Sequence, residues 1–318
     1  MPSEIDLIRW LEVNCPHVWT LLDQQARQNL PNGLLQYASP LSETELGQRV
    51  SSFRELDAEL EADQRNELAQ SAAQQGRDNL LLADKRIEDL ITACGLPTVR
   101  HTYRKRLNAG FAEQVAELLC EITLCASVSK LSPAPPNLRP PSGKGNTDCE
   151  VSFQLAGSTV YAEAKRYEDR WFSDLDPRKA KKRSLVKAPP DAKPQGTARP
   201  RAMDLFKKLR KVPTQFPTGT INLLFIFHPS VGDSSRYLQQ ALFGDNASFE
   251  DPTNVTLNND GLFATGDWRT VSACCLSKVL ADGALICFIT WENPRADVRV
   301  PTQVRAALDN LNPPKVSF

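Results

Sequence analysis

The sequence predicts an α/β protein, a mixed sheet flanked by helices, with an all-helical region ahead of it. Three observations lead there. The first hundred residues repeat apolar side chains at helical spacing. Two continuous apolar runs, "INLLFIF" and "GALICFIT", have the length of buried strands. Between these regions "DCEVSFQLAGSTVYAEAK" reads as two short strands around a tight turn. With 318 residues, 41% hydrophobic and 24% charged, the chain is large enough to bury a core.

The N-terminal elements follow from local signals. "DLIRWLEV" and "VWTLL" have helical apolar spacing and are punctuated by "NLPNG" and "ASP". A capping box, Ser42 to Glu45, opens a helix whose apolar face is Leu46, Val50, Phe53, Leu56 and Leu60. A further helix, "RDNLLLADKRIEDLITAC", closes at Gly95 and Pro97. This region, residues 1–98, holds no glycine-rich phosphate loop and no catalytic cluster. Its expected role is a surface for a partner protein, for self-association or for clamping a substrate.

The second region spans residues 99–318. "NAGFAEQVAELLCEITLC" places Phe111, Val115, Leu118, Leu119 and Ile122 on one helical stripe. "ASVSKL" is expected as a short strand, followed by the proline-rich loop "SPAPPNLRPPSGKGN" and the two-stranded segment. A basic, low-complexity insert near residues 172–200 is expected to be mobile when nothing is bound. "AMDLFKKLRKV" and "SSRYLQQAL" read as helices, and the two apolar runs as a central strand and a second buried strand.

Compartment and charge narrow the function classes. No apolar run reaches the ~18 residues of a membrane helix, and "MPSEIDLIRW" lacks the pattern of a secretory signal, so a cytoplasmic protein is expected. The eight cysteines form no Cys-x-x-Cys pair, and three scattered histidines offer no Cys/His zinc motif. The sequons at Asn246 and Asn254 then read as chance. Net charge is zero, yet residues 101–212 carry +10 against −7 before them and −3 after. A basic middle third points to a polyanionic partner. Lys144 and the cluster Lys179, Lys181, Lys182 and Arg183 flank the hairpin as candidate phosphate contacts, with solvated loop residues as the alternative.

The hairpin carries the chemistry. Side chains alternate along a strand, so Tyr161, Glu163 and Lys165 share one face of theirs, and Asp148 and Glu150 share a face opposite Cys149, Val151, Phe153 and Leu155. A two-residue turn at Ala156 and Gly157 brings Asp148, Glu163 and Lys165 onto one side of the pair. Two carboxylates on neighbouring strands suit Mg²⁺ or Mn²⁺, and a lysine beside them stabilises charge developing on a phosphate. Glu150 reads as a solvated strand residue rather than a third ligand. The bland alternative for Glu163 and Lys165 is a cross-strand ion pair on a wet face. His228, Trp268 and Trp291 read as structural.

Asp148 followed by Glu163-Ala164-Lys165, between helices and strands in this order, resembles the PD-(D/E)XK nuclease superfamily over residues ~101–292. The resemblance implies a restriction-endonuclease-like fold with an αβββαβ core. It implies Asp148 and Glu163 as ligands of Mg²⁺ or Mn²⁺, and Lys165 as the catalytic lysine. Thr147 stands where the family pattern has proline. A first-helix acid often joins such a site, and Glu113, Glu117 and Glu121 are all available. The expected activity is hydrolysis of phosphodiester bonds, in DNA first, in restriction, repair or defence. The rival expectation is a non-catalytic nucleic-acid-binding or complex-forming protein on the same fold, and a third is an interaction protein built on the N-terminal helices.

Overall fold

The computed structural model describes residues 4–39, 62–108, 110–141, 147–166, 205, 207–227, 232–244, 256–279 and 285–310. The chain forms two compact units. One comprises residues 1–88, 103–119 and 168–195, and the other residues 89–102, 120–167 and 196–318. The position 98/99 that divides the sequence by composition lies within a helix.

The first unit is helical where it is described. Helices α1 (Glu4–Asn14), α2 (Pro16–Leu21), α3 (Gln24–Gln28) and α4 (Asn32–Ala38) bury Leu7, Leu11, Val18, Leu21 and Leu34. Asp23 caps α3 by accepting the Ala26 N–H at 2.8 Å, which satisfies an amide that the helix itself leaves open. The capping box at Ser42 and the helix expected to follow it lie outside the described residues. From Ala62 a single 33-residue helix, α5 (Ala62–Cys94), runs where the sequence reading placed the end of one helix and the start of another. Gly76 sits inside it. A Cβ there would lie far inside contact distance of the Tyr37 carbonyl oxygen, so the glycine marks a close backbone approach rather than a break. In the same unit Asp84, 6% exposed, accepts from the Val18 N–H at 2.7 Å and lies 2.9 Å from His17 Nδ1.

Helix α5 ends as expected. Gly95 adopts φ +82° and its N–H donates to the Ile91 carbonyl at 2.8 Å. A new helix, α6 (Leu96–Leu107), starts at once, with Pro97 in its first turn where no N–H is needed. Helix α7 (Ala112–Leu131) buries Val115, Leu118, Leu119 and Ile122, while Phe111 falls just outside it and is 39% exposed. The segment "ASVSKL", expected as a strand, is instead the last part of α7. Leu124, Cys125, Ala126 and Val128 continue the buried face of the helix, so packing overrides the β-branched and serine residues.

The second unit is built on a six-stranded mixed sheet of order β1-β2-β3-β4-β5-β6. Its strands are β1 (Asn137–Leu138), β2 (Val151–Leu155), β3 (Ser158–Arg166), β4 (Ile221–Phe227), β5 (Ala273–Val279) and β6 (Leu285–Glu292). Strands β1 to β3 pair antiparallel, β3, β4 and β5 pair parallel, and β6 returns antiparallel to β5. The first strand is a two-residue piece inside the proline-rich loop, because prolines cannot supply ladder donors. All seven residues of β4 are buried, as a central parallel strand requires. Strand β6, expected as a second buried strand, is an edge strand in which residues 285–287 and Trp291 are buried and residues 288–290 half-buried. Strand β5, "ACCLSKV", escaped the sequence reading because small and thiol side chains give a weak strand signal.

Helix α8 (Gly232–Phe243) matches its expectation, and Leu205 with residues 207–209 is helical, Leu205 and Leu209 buried and Lys207 and Lys208 exposed. These leucines pack with Leu224, Ile226, Leu238, Leu242, Phe263, Trp268 and Trp291 over one face of the sheet. Both tryptophans are core residues, as expected. A short helix, α9 (Thr302–Asp309), follows the sheet. Among the described residues no helix is long and apolar enough to cross a membrane.

Candidate functional site

The β2–β3 hairpin forms as the sequence indicates. Ala156 and Gly157 have φ +49° and +79°, the double positive-φ turn whose twist matches paired strands. Val151 faces Ala162 and Leu155 faces Ser158, the register expected from a two-residue turn. On β3, Val160, Ala162 and Ala164 face one way and Tyr161, Glu163 and Lys165 the other, with Tyr161 packed against the apolar cluster that covers that face.

Glu163 lies at 0% exposure, paired across the parallel ladder with Leu224. Its carboxylate has two partners: Lys165 Nζ donates to Oε1, and the Glu150 N–H donates to Oε2 at 3.2 Å. Burial raises its pKa from 4.5 to about 7, opposed by the ammonium of Lys165 and reinforced by the nearby charge of Glu121. Of the three candidate acids on α7, Glu121 is therefore the one beside the site, and it is itself buried. Glu117 points to solvent, and the side chain of Glu113 lies outside the described residues.

Glu150 departs from its expectation as a solvated residue. It is 3% exposed, with Oε1 3.7 Å from Arg139 Nη1 and 4.0 Å from Lys165 Nζ. Its other oxygen, Oε2, is buried without a hydrogen-bond partner. Asp148 sits further out. Its half-exposed carboxylate is 3.6 Å from Arg139 Nη2, and its backbone bridges to Pro141.

Arg139 thus spans Asp148 and Glu150. Its backbone has φ +54°, uncommon for a side-chain-bearing residue, and its N–H donates to the Glu150 carbonyl at 2.9 Å. Nothing in "NLRPP" marks this arginine, which reaches the acids only because the proline-rich strap pairs with the first strand of the hairpin.

A second unanticipated member is Cys149. Its Sγ donates to the Ala162 carbonyl at 2.9 Å, and its thiol is pushed well above the usual range by burial and by the Glu163 charge. One donor atom each from Cys149, Glu150 and Glu163 lie within 4.8 Å of one another. Strict alternation would put Cys149 on the side opposite Glu150. Both approach Glu163 because regular strand begins only at Val151 and the chain bends at Glu150.

The site therefore gathers Glu163, Lys165, Glu150, Cys149, Glu121 and Arg139, with Asp148 at its rim. An orphaned carboxylate oxygen beside two further donors fits a divalent cation. Lys144, Lys179, Lys181, Lys182, Arg183 and His228 lie outside the described residues. No protein-family model matches the chain, and no curated protein or solved structure is significantly similar to it.

Proposed function

We propose that this chain is a metal-dependent nuclease of restriction-endonuclease-like fold, acting on phosphodiester bonds and on DNA first. The observation that carries the reading is the buried Glu163 carboxylate held by Lys165 beside the unpartnered Glu150 Oε2. Burying such a group without need is costly, and a wet-face ion pair does not account for 0% exposure. The order of elements, α7, three antiparallel strands, the helical stretch near Leu205 and then β4, supports the αβββαβ core implied by the sequence resemblance.

Glu163 and Asp148 would hold Mg²⁺ or Mn²⁺, with Glu150 close by and Glu121 adding negative charge behind them. Such an ion supplies polarisation of a phosphoryl oxygen and a more acidic bound water. Lys165 pairs with Glu163, and an ion sharing that carboxylate would leave its ammonium available to charge developing on the phosphate. Arg139 performs the same neutralising task for Asp148 and Glu150.

The test is cleavage of plasmid and linear DNA with Mg²⁺, Mn²⁺ or chelator, using wild type, Glu163→Ala and Lys165→Ala. Lys165→Ala should slow cleavage by about 10²–10³-fold while DNA affinity stays within a few-fold, because a group that acts on transition-state charge contributes little to ground-state binding. Equal cleavage by the lysine variant refutes the assigned role. The half-exposed, Arg139-paired position of Asp148 favours a second reading, a non-catalytic nucleic-acid-binding protein. DNA binding without cleavage under any metal would establish that one instead.

A further inference from the structure

The site contains a donor that hydrolysis with Mg²⁺ does not call for. Cys149 Sγ lies with a carboxylate oxygen of Glu150 and one of Glu163 inside a 4.8 Å span, and all three residues are buried. Sulfur is a soft donor, whereas Mg²⁺ takes near-ideal octahedra of oxygen and keeps several waters. Three protein donors, one a thiolate, match the ligand number of zinc sites that retain a fourth, open position.

We propose that Cys149, Glu150 and Glu163 form a site for a thiophilic divalent ion of the zinc class, bound through the Cys149 sulfur. This deepens the metal-centre reading of the same carboxylates and rests on it only for the consequence for cleavage. The second observation pointing to a ligand is Glu150 Oε2, buried and without a hydrogen-bond partner although its residue is 3% exposed. Without a bound ion the Sγ–H is engaged with the Ala162 carbonyl, and Lys165 stands as a cation on Glu163. On binding, the S–H bond breaks, its proton passes to the buffer, and a sulfur–metal bond forms. Bond lengths of about 2.3 Å to sulfur and about 2.0–2.2 Å to oxygen need donors about 3.5 Å apart, so the group closes by no more than about 1.3 Å. The bend at Glu150, ahead of the regular ladder, is the place where that adjustment meets least resistance. The thiolate and the carboxylates of Glu150, Glu163 and the Arg139-paired Asp148 together offset the dication and the charges of Arg139 and Lys165. An ion seated this way occupies Glu163, so zinc competes with Mg²⁺ for the same carboxylate.

The test titrates full-length wild type, Cys149→Ser and Glu163→Gln with Co²⁺ as a spectroscopic substitute for Zn²⁺, and measures Zn²⁺ and Mg²⁺ affinity by calorimetry. The expected result is a thiolate-to-cobalt charge-transfer band in wild type that is lost in Cys149→Ser. Zn²⁺ affinity should fall tenfold or more in that variant with Mg²⁺ affinity unchanged. No band in wild type, or a band that survives Cys149→Ser, overturns the proposal. If Cys149→Ser does not fold, X-ray absorption at the zinc edge of wild type decides: a sulfur neighbour at about 2.3 Å supports the site, and an all-oxygen and nitrogen shell overturns it. A cobalt–sulfur band without DNA cleavage sinks only the nuclease reading. Mg²⁺-dependent cleavage without that band sinks only this one.

Discussion

Replacing Glu163 by Gln removes the most deeply buried carboxylate of the site while keeping its shape. In the folded chain this carboxyl has its pKa raised from 4.5 to about 7, with desolvation the first cause and Lys165 the main opposing one. Between those values the folded state binds the proton more tightly than the unfolded state. Stability is therefore fully present below pH ~4.5 and lost as pH rises toward ~7, above which both states are ionised and the loss is constant. A rise from 4.5 to about 7 corresponds to about 3 kcal/mol. Glu163→Gln does not titrate, so its unfolding free energy should gain about that much on wild type between about pH 4 and pH 8. Groups remote from Glu163 titrate alike in both proteins and cancel in the difference. The assay is urea unfolding followed by far-ultraviolet circular dichroism across that range. Hydrogen exchange of peptides covering β2 and β3 locates the effect. Lys165→Ala, which deletes the opposing charge, should carry the loss to higher pH. A flat difference between wild type and Glu163→Gln would refute the claim that this carboxylate is desolvated.

The other outcomes follow from single contacts. Gly76→Ala drives a methyl group into the Tyr37 carbonyl, and should cost about 1–3 kcal/mol by overpacking despite alanine's better helix propensity; thermal denaturation measures it. Arg139→Gly removes the cation spanning Asp148 and Glu150 at a backbone position that glycine adopts without strain, so divalent-ion affinity by calorimetry should rise severalfold. Alanine at Lys179, Lys181, Lys182 and Arg183 should weaken DNA binding for every sequence and make its salt dependence shallower, since fewer counterions are released. Unchanged slope in a salt titration of binding would return that stretch to a solvated loop.

The local features of the fold were legible in the sequence for local reasons. Ala-Gly between two alternating segments dictates a tight hairpin, and its register follows from turn length alone, which is why Val151 opposite Ala162 was accessible beforehand. The run "INLLFIF" has no polar face to offer solvent and had to be central. The helix end at Gly95 lies at a glycine and proline signal that acts within a few residues. The same alternation brought Glu163 and Lys165 to one face, a relation inside one strand.

What tertiary structure decided is everything set by distant chain. Segment "ASVSKL" is ambiguous by itself, and became helix because it continues a face already buried on α7. Glu150 looked like a solvated residue because alternation says nothing about how much chain lies over a face. Its burial comes from the strap bearing Arg139 and from the layers packed on the sheet. Cys149 joined the acids because the backbone bends before the ladder begins, which no side-chain pattern records. Glu121, one of three equivalent acids on paper, was selected by the rotation of α7 against the sheet. Sequence by itself determined which groups were available and which strand neighbours they had. Desolvation and the pairing of charges far apart in the chain depend on packing, and only the folded chain set them.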